Sequence, residues 1–368
     1  MTYSVHRMIE ELGYNPDLLA EEPESPSIKV PDELREPLQR ALFERVALHL
    51  AVIDHWARNK GPRYKVTTQL GSLDSTMRDY AQSVREQFQI GALKAALQLG
   101  STDDPIRLRR MTASLGAEDA DNLGHAFIMP ISLLFELPHF DFKLPYEATL
   151  WHLTEYLVRK VSKKQPDGFR VDTQMDRLAG PTILTRHKSL FASAVIEYGI
   201  LGHNGIFAHR IAVAADTGYV HSDAVKWLLE RLRKNVGRQP LTRAQISTES
   251  LIRERFGTDW DRLPSGIDLP DSGRVRLWLV KNASDYWDKM MDLNSHVFEE
   301  MIPDIAKGDW PIIRAAQYAM PTVNGAPGAS HVTIFTHAVW SLADYGLIES
   351  PLAALQTHRM LRQYLRGR

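Results

Sequence analysis

Apolar residues recur every three or four positions along most of the chain, which is the spacing of an amphipathic helix. The clearest case is the segment 32–59, which follows a candidate N-cap at Asp32. The same pattern predicts further helices over 74–99, 105–115, 118–137, 145–164, 187–200, 205–216, 221–236, 242–256, 275–302, 309–319, 331–345 and 350–365. Strand-like alternation is confined to 66–70. The sequence therefore predicts an all-α protein, a large helical domain of about ten or more helices packed on one another.

The predicted organisation is an extended N-terminal arm followed by one helical domain. Residues 21–27 are acidic and rich in proline, which favours an extended path, so we assign 1–31 to the arm. Residues 32–368 form the predicted all-helical domain, and an exposed stretch near 165–180 could divide it. A chain of 368 residues suits one large domain or two closely packed ones.

One pattern occurs twice in the C-terminal half. It reads H-x-x-I-F-x-H, then five residues, then A-D-x-G, over 203–218 and again over 331–346, 128 positions later. His49 and His55 repeat its first half near the N-terminus. The recurrence predicts an internal duplication of a helical unit.

Helical geometry predicts where the residues of this repeat lie. Gly202 and Ser330 precede the first histidine of each copy, so that histidine is expected in the opening turn of a helix. Positions six apart differ by about 120° around a helix, so the two histidines of one copy should not share a face. The second histidine and the aspartate are seven apart and should share one.

Neutral imidazole is a common ligand of iron, copper and zinc, and a carboxylate behind it can fix its tautomer. We therefore predict that the repeat holds a metal through His203, His209, His331 and His337, with Asp216 and Asp344 behind these ligands. Further residues that could serve the site are His49, His55 and His125 as ligands, and Glu197 and Tyr198 beside them. The alternative is a duplicated helical hairpin whose histidines are hydrogen-bonded core residues.

Composition excludes several classes of function. The chain has no cysteine, which removes disulfides, thiolate metal sites and cysteine nucleophiles. The formal net charge of -1 gives no general attraction to nucleic acid, and no apolar run reaches the length of a membrane span. No signal-peptide core is seen, so we expect a cytoplasmic location. Nucleotide-binding glycine motifs, H-E-x-x-H and G-x-S-x-G are absent, and His152 with Glu155 is interpreted as a surface pair.

Several short segments follow one another in a recognisable order. Leu-Gly-Ser-Thr at 99–102 closes an apolar helix, Leu-Gly-His follows at 123–125, and a helix is predicted over 144–157 before the histidines near the end. This order resembles that of the questin-oxidase-like family. The resemblance implies an all-helical, iron-dependent oxygenase that acts on aromatic polyketides. The family's His-Asn-His cluster is replaced here by residues that include Gln87, Gln89 and Gly91, its proline by Ala126, and Met129 lies near its second histidine. The resemblance therefore assigns no metal ligands.

The leading functional hypothesis is an iron-dependent oxidoreductase, an oxygenase with non-haem iron and an aromatic or apolar small-molecule substrate. A second hypothesis is a b-type haem oxygenase, since the chain also resembles tryptophan-dioxygenase-type enzymes, with a glycine-rich loop at 324–328 and His331 or His337 as axial ligand. The third hypothesis is a helical binding or adaptor protein, and the fourth is a metal-dependent hydrolase with zinc or manganese. The sequence leaves a homo-oligomer open.

Overall fold

The computed structural model of the chain describes residues 71–100, 105–119, 123–136, 146–161, 180, 182–218, 220–236, 314, 317 and 329–365. These residues are 85% helical and none of them forms a strand, which confirms the all-α prediction. Their eleven helices are α1 Leu73–Arg85, α2 Gln89–Gly100, α3 Pro105–Glu118, α4 His125–Ile131, α5 Tyr146–Lys160, α6 Thr182–Thr185, α7 Lys188–Ile196, α8 His203–Asp216, α9 Ser222–Val236, α10 Ala329–Asp344 and α11 Ser350–Leu365. A π-helical segment, Ser132–Glu136, follows α4, and a 3-10 turn, Ile200–Gly202, precedes α8.

Chain contacts divide these helices between two compact units. Unit 1 holds α1 to α5 and residues 214–228, and unit 2 holds α6, α7, residues 182–213 and 229–236, α10 and α11. The unit boundaries at 213/214 and 228/229 fall inside α8 and α9. The predicted arm at 1–31, the first predicted helix and the strand-like segment 66–70 lie outside the described residues. The domain boundaries predicted at residue 31 and near 165–180 therefore stay predictions.

The prediction of one continuous helix over 74–99 was wrong, because α1 ends at Arg85 and α2 begins at Gln89. Gln87 adopts a left-handed conformation with φ of 59°. The Phe88 N–H bonds to the Ser83 carbonyl and the Gln87 N–H to the Val84 carbonyl, which is the Schellman pattern of a helix C-terminus. Glycine or asparagine usually marks this position, so the glutamine provided no stop signal in the sequence.

Two further predicted bounds needed correction. The helix predicted over 118–137 begins only at His125, since Gly124 stands in the left-handed region with φ of 78° and ψ of 6° at its N-cap. It then widens into the π-helical segment after Pro130, a residue that cannot donate to the helix ladder. The short helix α6 was not predicted, and the other described helices start and end within a few residues of their predictions.

Unit 1 packs its helices around a buried polar network. The α1 helix packs most closely on α2, and α2 on α5. Tyr80 of α1 is fully buried, and its hydroxyl lies 3.3 Å from Thr112 Oγ1 of α3 and 3.1 Å from Thr154 Oγ1 of α5. Arg85 and Glu118 add an ion pair between α1 and α3, with Nε 3.0 Å from Oε2. Polar contacts thus fix the register of three helices.

Replacing Tyr80 with phenylalanine should lower the free energy of unfolding by about 1–3 kcal/mol, because two buried hydrogen bonds between helices are lost. The measurement is urea denaturation of both proteins. In a Thr112→Val, Thr154→Val background the same change should cost much less, since its two bonds to the threonines are already gone. An equal loss in the two backgrounds would show that the network does not stabilise the bundle.

Unit 2 is organised around α10 and α11. The α10 helix packs on α11 and on the 3-10 turn, and α11 also packs on α7. Gln317 joins the two long helices, because its Oε1 accepts from Trp340 Nε1 at 2.9 Å and its Nε2 donates to the Ala354 carbonyl at 2.6 Å. Among the helices that the structure describes, none combines the length and apolar character needed to cross a bilayer.

Candidate functional site

The two copies of the repeat form one helix each. His203 is the first residue of α8 and His331 is the third of α10, as the sequence predicted. The closing A-D-x-G element is the end of each helix, because Gly218 and Gly346 stand in the left-handed conformation with φ of 66° and 63°. Such a glycine ends a helix at no steric cost. The repeat is therefore a complete helix with a histidine in its first turn and a glycine stop.

The helices α8 and α10 face each other through their equivalent histidines. The rings of His203 and His331 have centroids 5.4 Å apart, and those of His209 and His337 have centroids 4.9 Å apart. The first histidine of one copy contacts the first of the other, and the second contacts the second. The two helices therefore run in the same direction. The four predicted ligands thus come together as two pairs, an upper pair, His203 and His331, and a lower pair, His209 and His337.

Both histidines of each copy reach the opposite helix, although they lie about 120° apart around the helix that carries them. Two positions with that separation can lie about 60° to either side of the line that faces the neighbouring helix. The two pairs stand at different levels, since six residues of helix rise about 9 Å. Metal–nitrogen bonds are about 2.0–2.1 Å, so one ion cannot bind both pairs. Within the described ranges, no group of three or more His, Cys, Asp or Glu is placed to hold a metal ion.

The packing between the repeat helices depends on small residues in one copy and a large one in the other. Phe335 is fully buried against Gly202 and Gly205, and a Cβ at either glycine would lie 2.6 Å from a carbon of its ring. The Tyr198 ring meets Phe335 edge-on, with centroids 5.3 Å apart. This close contact sets the distance at which the upper pair faces one another.

His203 of the upper pair has the protonation pattern of a metal-binding imidazole. His203 Nδ1 lies 2.5 Å from the Ile200 carbonyl oxygen. A carbonyl only accepts, so Nδ1 carries the proton and Nε2 keeps its lone pair. Backbone carbonyls commonly orient metal-binding histidines in this way. Two imidazoles that share an ion have ring centres roughly 5–6 Å apart, given metal–nitrogen bonds of about 2.1 Å, and 5.4 Å for this pair fits that spacing.

The carbonyl that orients His203 belongs to a strained turn between α7 and α8. Gly199 has φ of 70° and ψ of -167°, a region that is open essentially to glycine alone. Leu201 is left-handed with φ of 53° and ψ of 25°, and Gly202 follows with φ of 79°. Backbone strain of this kind concentrates at functional sites and persists only where the surroundings hold it.

The lower pair has a different chemistry. Arg210 is almost completely buried, and its NH1 lies 2.6 Å from His209 Nδ1. A guanidinium only donates, so Nδ1 accepts and the His209 proton is on Nε2. Burial first, then the charges of Arg210 and His337, hold the pKa of His209 well below its usual 6.5. Ser341 Oγ lies 3.2 Å from His337 Nδ1. A neighbouring guanidinium repels a cation, so this pair suits a metal less well.

The predicted carboxylates lie at the ends of the repeat helices. Asp216 is the last residue of α8 and is exposed. Asp344 is the last residue of α10, and both of its oxygens receive hydrogen bonds at 3.0 Å from Arg314. Ser341 is therefore the α10 side chain that contacts His337, and the bond between Asp344 and Arg314 offsets a negative charge at a helix C-terminus.

Glu197 and Tyr198 stand on the strained turn, before His203. The Glu197 Oε2 atom is buried without a hydrogen-bond partner, and burial raises the pKa of this carboxyl. Tyr198 is buried, and the Arg359 guanidinium lies 5.2 Å from the centre of its ring. Both side chains are therefore held on the segment that orients the upper pair.

The remaining predicted ligands belong to the other unit or lie outside the described residues. His125 is the first residue of α4 in unit 1, where it begins the helix after the left-handed Gly124. His49 and His55, together with the loop 324–328, lie outside the described residues.

The interpretation of His152 and Glu155 as a surface pair was wrong, since both are buried in α5. Gln89 of α2 donates a hydrogen bond to Glu155 Oε1. Burial, with a smaller contribution from Arg159, lowers the pKa of His152 to about 3. The sequence carried a signal, because apolar residues lie on all sides of this part of α5, which is typical of a buried helix.

No protein-family model, curated protein or solved structure matches this chain. The case for a function therefore rests on the geometry of the two histidine pairs.

Proposed function

We propose that the chain is an iron-dependent oxidoreductase, an oxygenase of an aromatic or apolar small molecule, with His203 and His331 as metal ligands. The observation that carries this proposal is the hydrogen bond from His203 Nδ1 to the Ile200 carbonyl. It places the proton on Nδ1, so Nε2 is the nitrogen of His203 whose lone pair would bind a metal, and a second imidazole lies at a suitable distance. The lower pair lacks this arrangement, since Arg210 occupies the His209 Nδ1.

Two neutral imidazoles leave most coordination positions of an iron ion open, as an oxygenase requires. The chemistry that iron supplies when bound is activation of dioxygen or polarisation of the substrate. The protein contributes the two ligands, the fixed tautomer of His203, and apolar surface on the same turn, where the Ile200 side chain is 61% exposed. That surface supports an apolar substrate. The expectation of a cytoplasmic location belongs to this proposal.

The test is elemental analysis and a visible spectrum of untagged protein purified without chelator, before and after reconstitution with ferrous iron. Wild-type protein should hold about one iron per chain without a haem band. His203→Ala and His331→Ala should each abolish iron binding, because a single remaining histidine binds the ion with much lower affinity than the pair does. His337→Ala is the matched control, since it removes a histidine from the same helix, and it should retain the metal.

Each remaining outcome of these measurements supports a different function. A strong haem band lost in His331→Ala or His337→Ala would support a haem oxygenase. Zinc or manganese in place of iron would support a metal-dependent hydrolase. No metal in the wild-type protein, even after reconstitution, would refute every metalloenzyme hypothesis.

The second candidate is a helical binding or adaptor protein in which the repeat is purely architectural. The packing of Phe335 on Gly202 and Gly205 supports it, since close apolar packing is by itself a physical reason for the two helices to meet. This candidate predicts that His203→Ala and His331→Ala have the same metal content as the wild-type protein.

A further inference from the structure

Asn204, the second residue of α8, binds back to the strained turn with two donors. Its backbone N–H lies 3.0 Å from the Tyr198 carbonyl, and its side-chain Nδ2 lies 2.5 Å from the Glu197 carbonyl. One residue thus bonds two successive carbonyls that precede Gly199. Motif and spacing in the sequence do not single out this asparagine.

The turn is folded directly over the Asn204 side chain. A Cβ on Gly199 would lie 3.2 Å from Asn204 Nδ2, which is closer than most real contacts. Inside the turn, the Gly202 N–H reaches the Gly199 carbonyl only at 3.5 Å, and Leu201 occupies a costly left-handed conformation. A strained path of this kind persists only where surrounding contacts hold it, and the two bonds from Asn204 are such contacts.

The position of the Ile200 carbonyl follows from the path of this turn. In a neutral imidazole, the bond made by one nitrogen decides which nitrogen carries the proton. We infer that Asn204 is a positioning residue that fixes His203 in its metal-binding tautomer by holding the turn from Glu197 to Gly202. This inference rests on the proposed metal site, although the tautomer itself can be measured without metal.

Asn204→Asp is the sharpest variant. Aspartate has the shape of asparagine, but its carboxylate only accepts and would face the Glu197 carbonyl. The backbone bond to Tyr198 is retained, and an acidic residue is favourable in the first turn of a helix, so the variant should fold. Asn204→Ala is the second variant, which removes the bond without adding charge. Trp340→Phe is the control, because it removes one buried hydrogen bond of unit 2 away from the turn.

The first readout is the tautomer of His203 in full-length, metal-free protein labelled with ¹⁵N-histidine. Long-range ¹H–¹⁵N correlation spectra at neutral pH distinguish a protonated from a bare ring nitrogen, and the His203→Gln spectrum assigns the signal. The wild type and Trp340→Phe should show the proton on Nδ1. Both Asn204 variants should show a mixture of the two tautomers, with unchanged helical circular dichroism.

The second readout is titration with cobalt(II), whose visible bands report nitrogen ligands. The Asn204 variants should raise the dissociation constant about 10–100-fold, the usual effect of losing a partner that orients a ligand. An unchanged His203 tautomer in both Asn204 variants would overturn the inference, as would a wild-type His203 with its proton on Nε2. If the wild type bound no cobalt or iron, the proposed function would fail while the tautomer result still decided the role of Asn204.

Discussion

Replacing Phe335 with alanine is expected to lower the free energy of unfolding by about 3–5 kcal/mol. The ring is fully buried and fills the space between α10 and the start of α8, against Gly202 and Gly205. Removing it deletes apolar contact and leaves a cavity that two glycines cannot fill. Denaturation by guanidinium chloride, monitored by far-UV circular dichroism, measures the effect. A loss below about 1 kcal/mol would show that this contact is not part of the core of unit 2.

Enlarging Gly205, the residue that Phe335 contacts on α8, is also expected to destabilise the protein. Alanine is a better helix former than glycine by about 1 kcal/mol, so Gly205→Ala would ordinarily stabilise α8. Here the new Cβ would lie 2.6 Å from Phe335 Cε2. We therefore expect a net loss of about 1–3 kcal/mol from overpacking. In a Phe335→Leu background, Gly205→Ala should cost less, and the double-mutant cycle measures this coupling.

Acidification from pH 7 to pH 5 should destabilise the protein through two buried histidines. Burial lowers the pKa of His152 to about 3 and holds that of His209 well below 6.5, so both stay neutral when folded. In the unfolded chain each takes up a proton below about pH 6.5. Stability from this source is complete above pH 6.5 and is lost as the pH falls towards 3. The slope is about 1.4 kcal/mol per pH unit for each histidine.

The variant His152→Gln isolates one of these contributions. Between pH 7 and pH 5 it should lose about 2 kcal/mol less than the wild type, because glutamine takes up no proton. Thr154→Val is the control, since it alters a buried polar residue of the same helix that does not titrate. Its stability should fall with pH as steeply as that of the wild type. Equal slopes in wild type and His152→Gln would contradict the buried, neutral state of His152.

Most helices could be predicted from the sequence because their buried faces recur with the helical period. The bounds that failed were those set by single backbone conformations. Gln87 ends α1 in a left-handed conformation that glutamine rarely adopts, and the sequence therefore contained no stop signal there. His152 and Glu155 were misplaced because they were interpreted from their polarity and three-residue spacing alone, although the apolar residues on all sides of this part of α5 indicated a buried helix.

The candidate site was predictable in composition but not in arrangement. The repeat identified the four histidines and placed the first histidine of each copy in the opening turn of a helix. The sequence could not show that equivalent histidines face each other, or that they form two levels about 9 Å apart. The tautomers could not be predicted either. The Ile200 carbonyl places the proton of His203 on Nδ1, whereas Arg210 places that of His209 on Nε2. The spacing of residues in the sequence does not give the geometry of these contacts.

The sequence by itself determined the all-α fold, most of the helices and the recurrence of the histidine pattern, because each depends on local periodicity and on residues close in the chain. Only the tertiary structure decided which histidines meet and which imidazole nitrogen of His203 and of His209 carries the proton. These properties depend on contacts such as Phe335 against Gly202, which join residues more than a hundred positions apart. Distances and directions between helices are fixed by packing, and packing is not encoded in the spacing of residues along one helix.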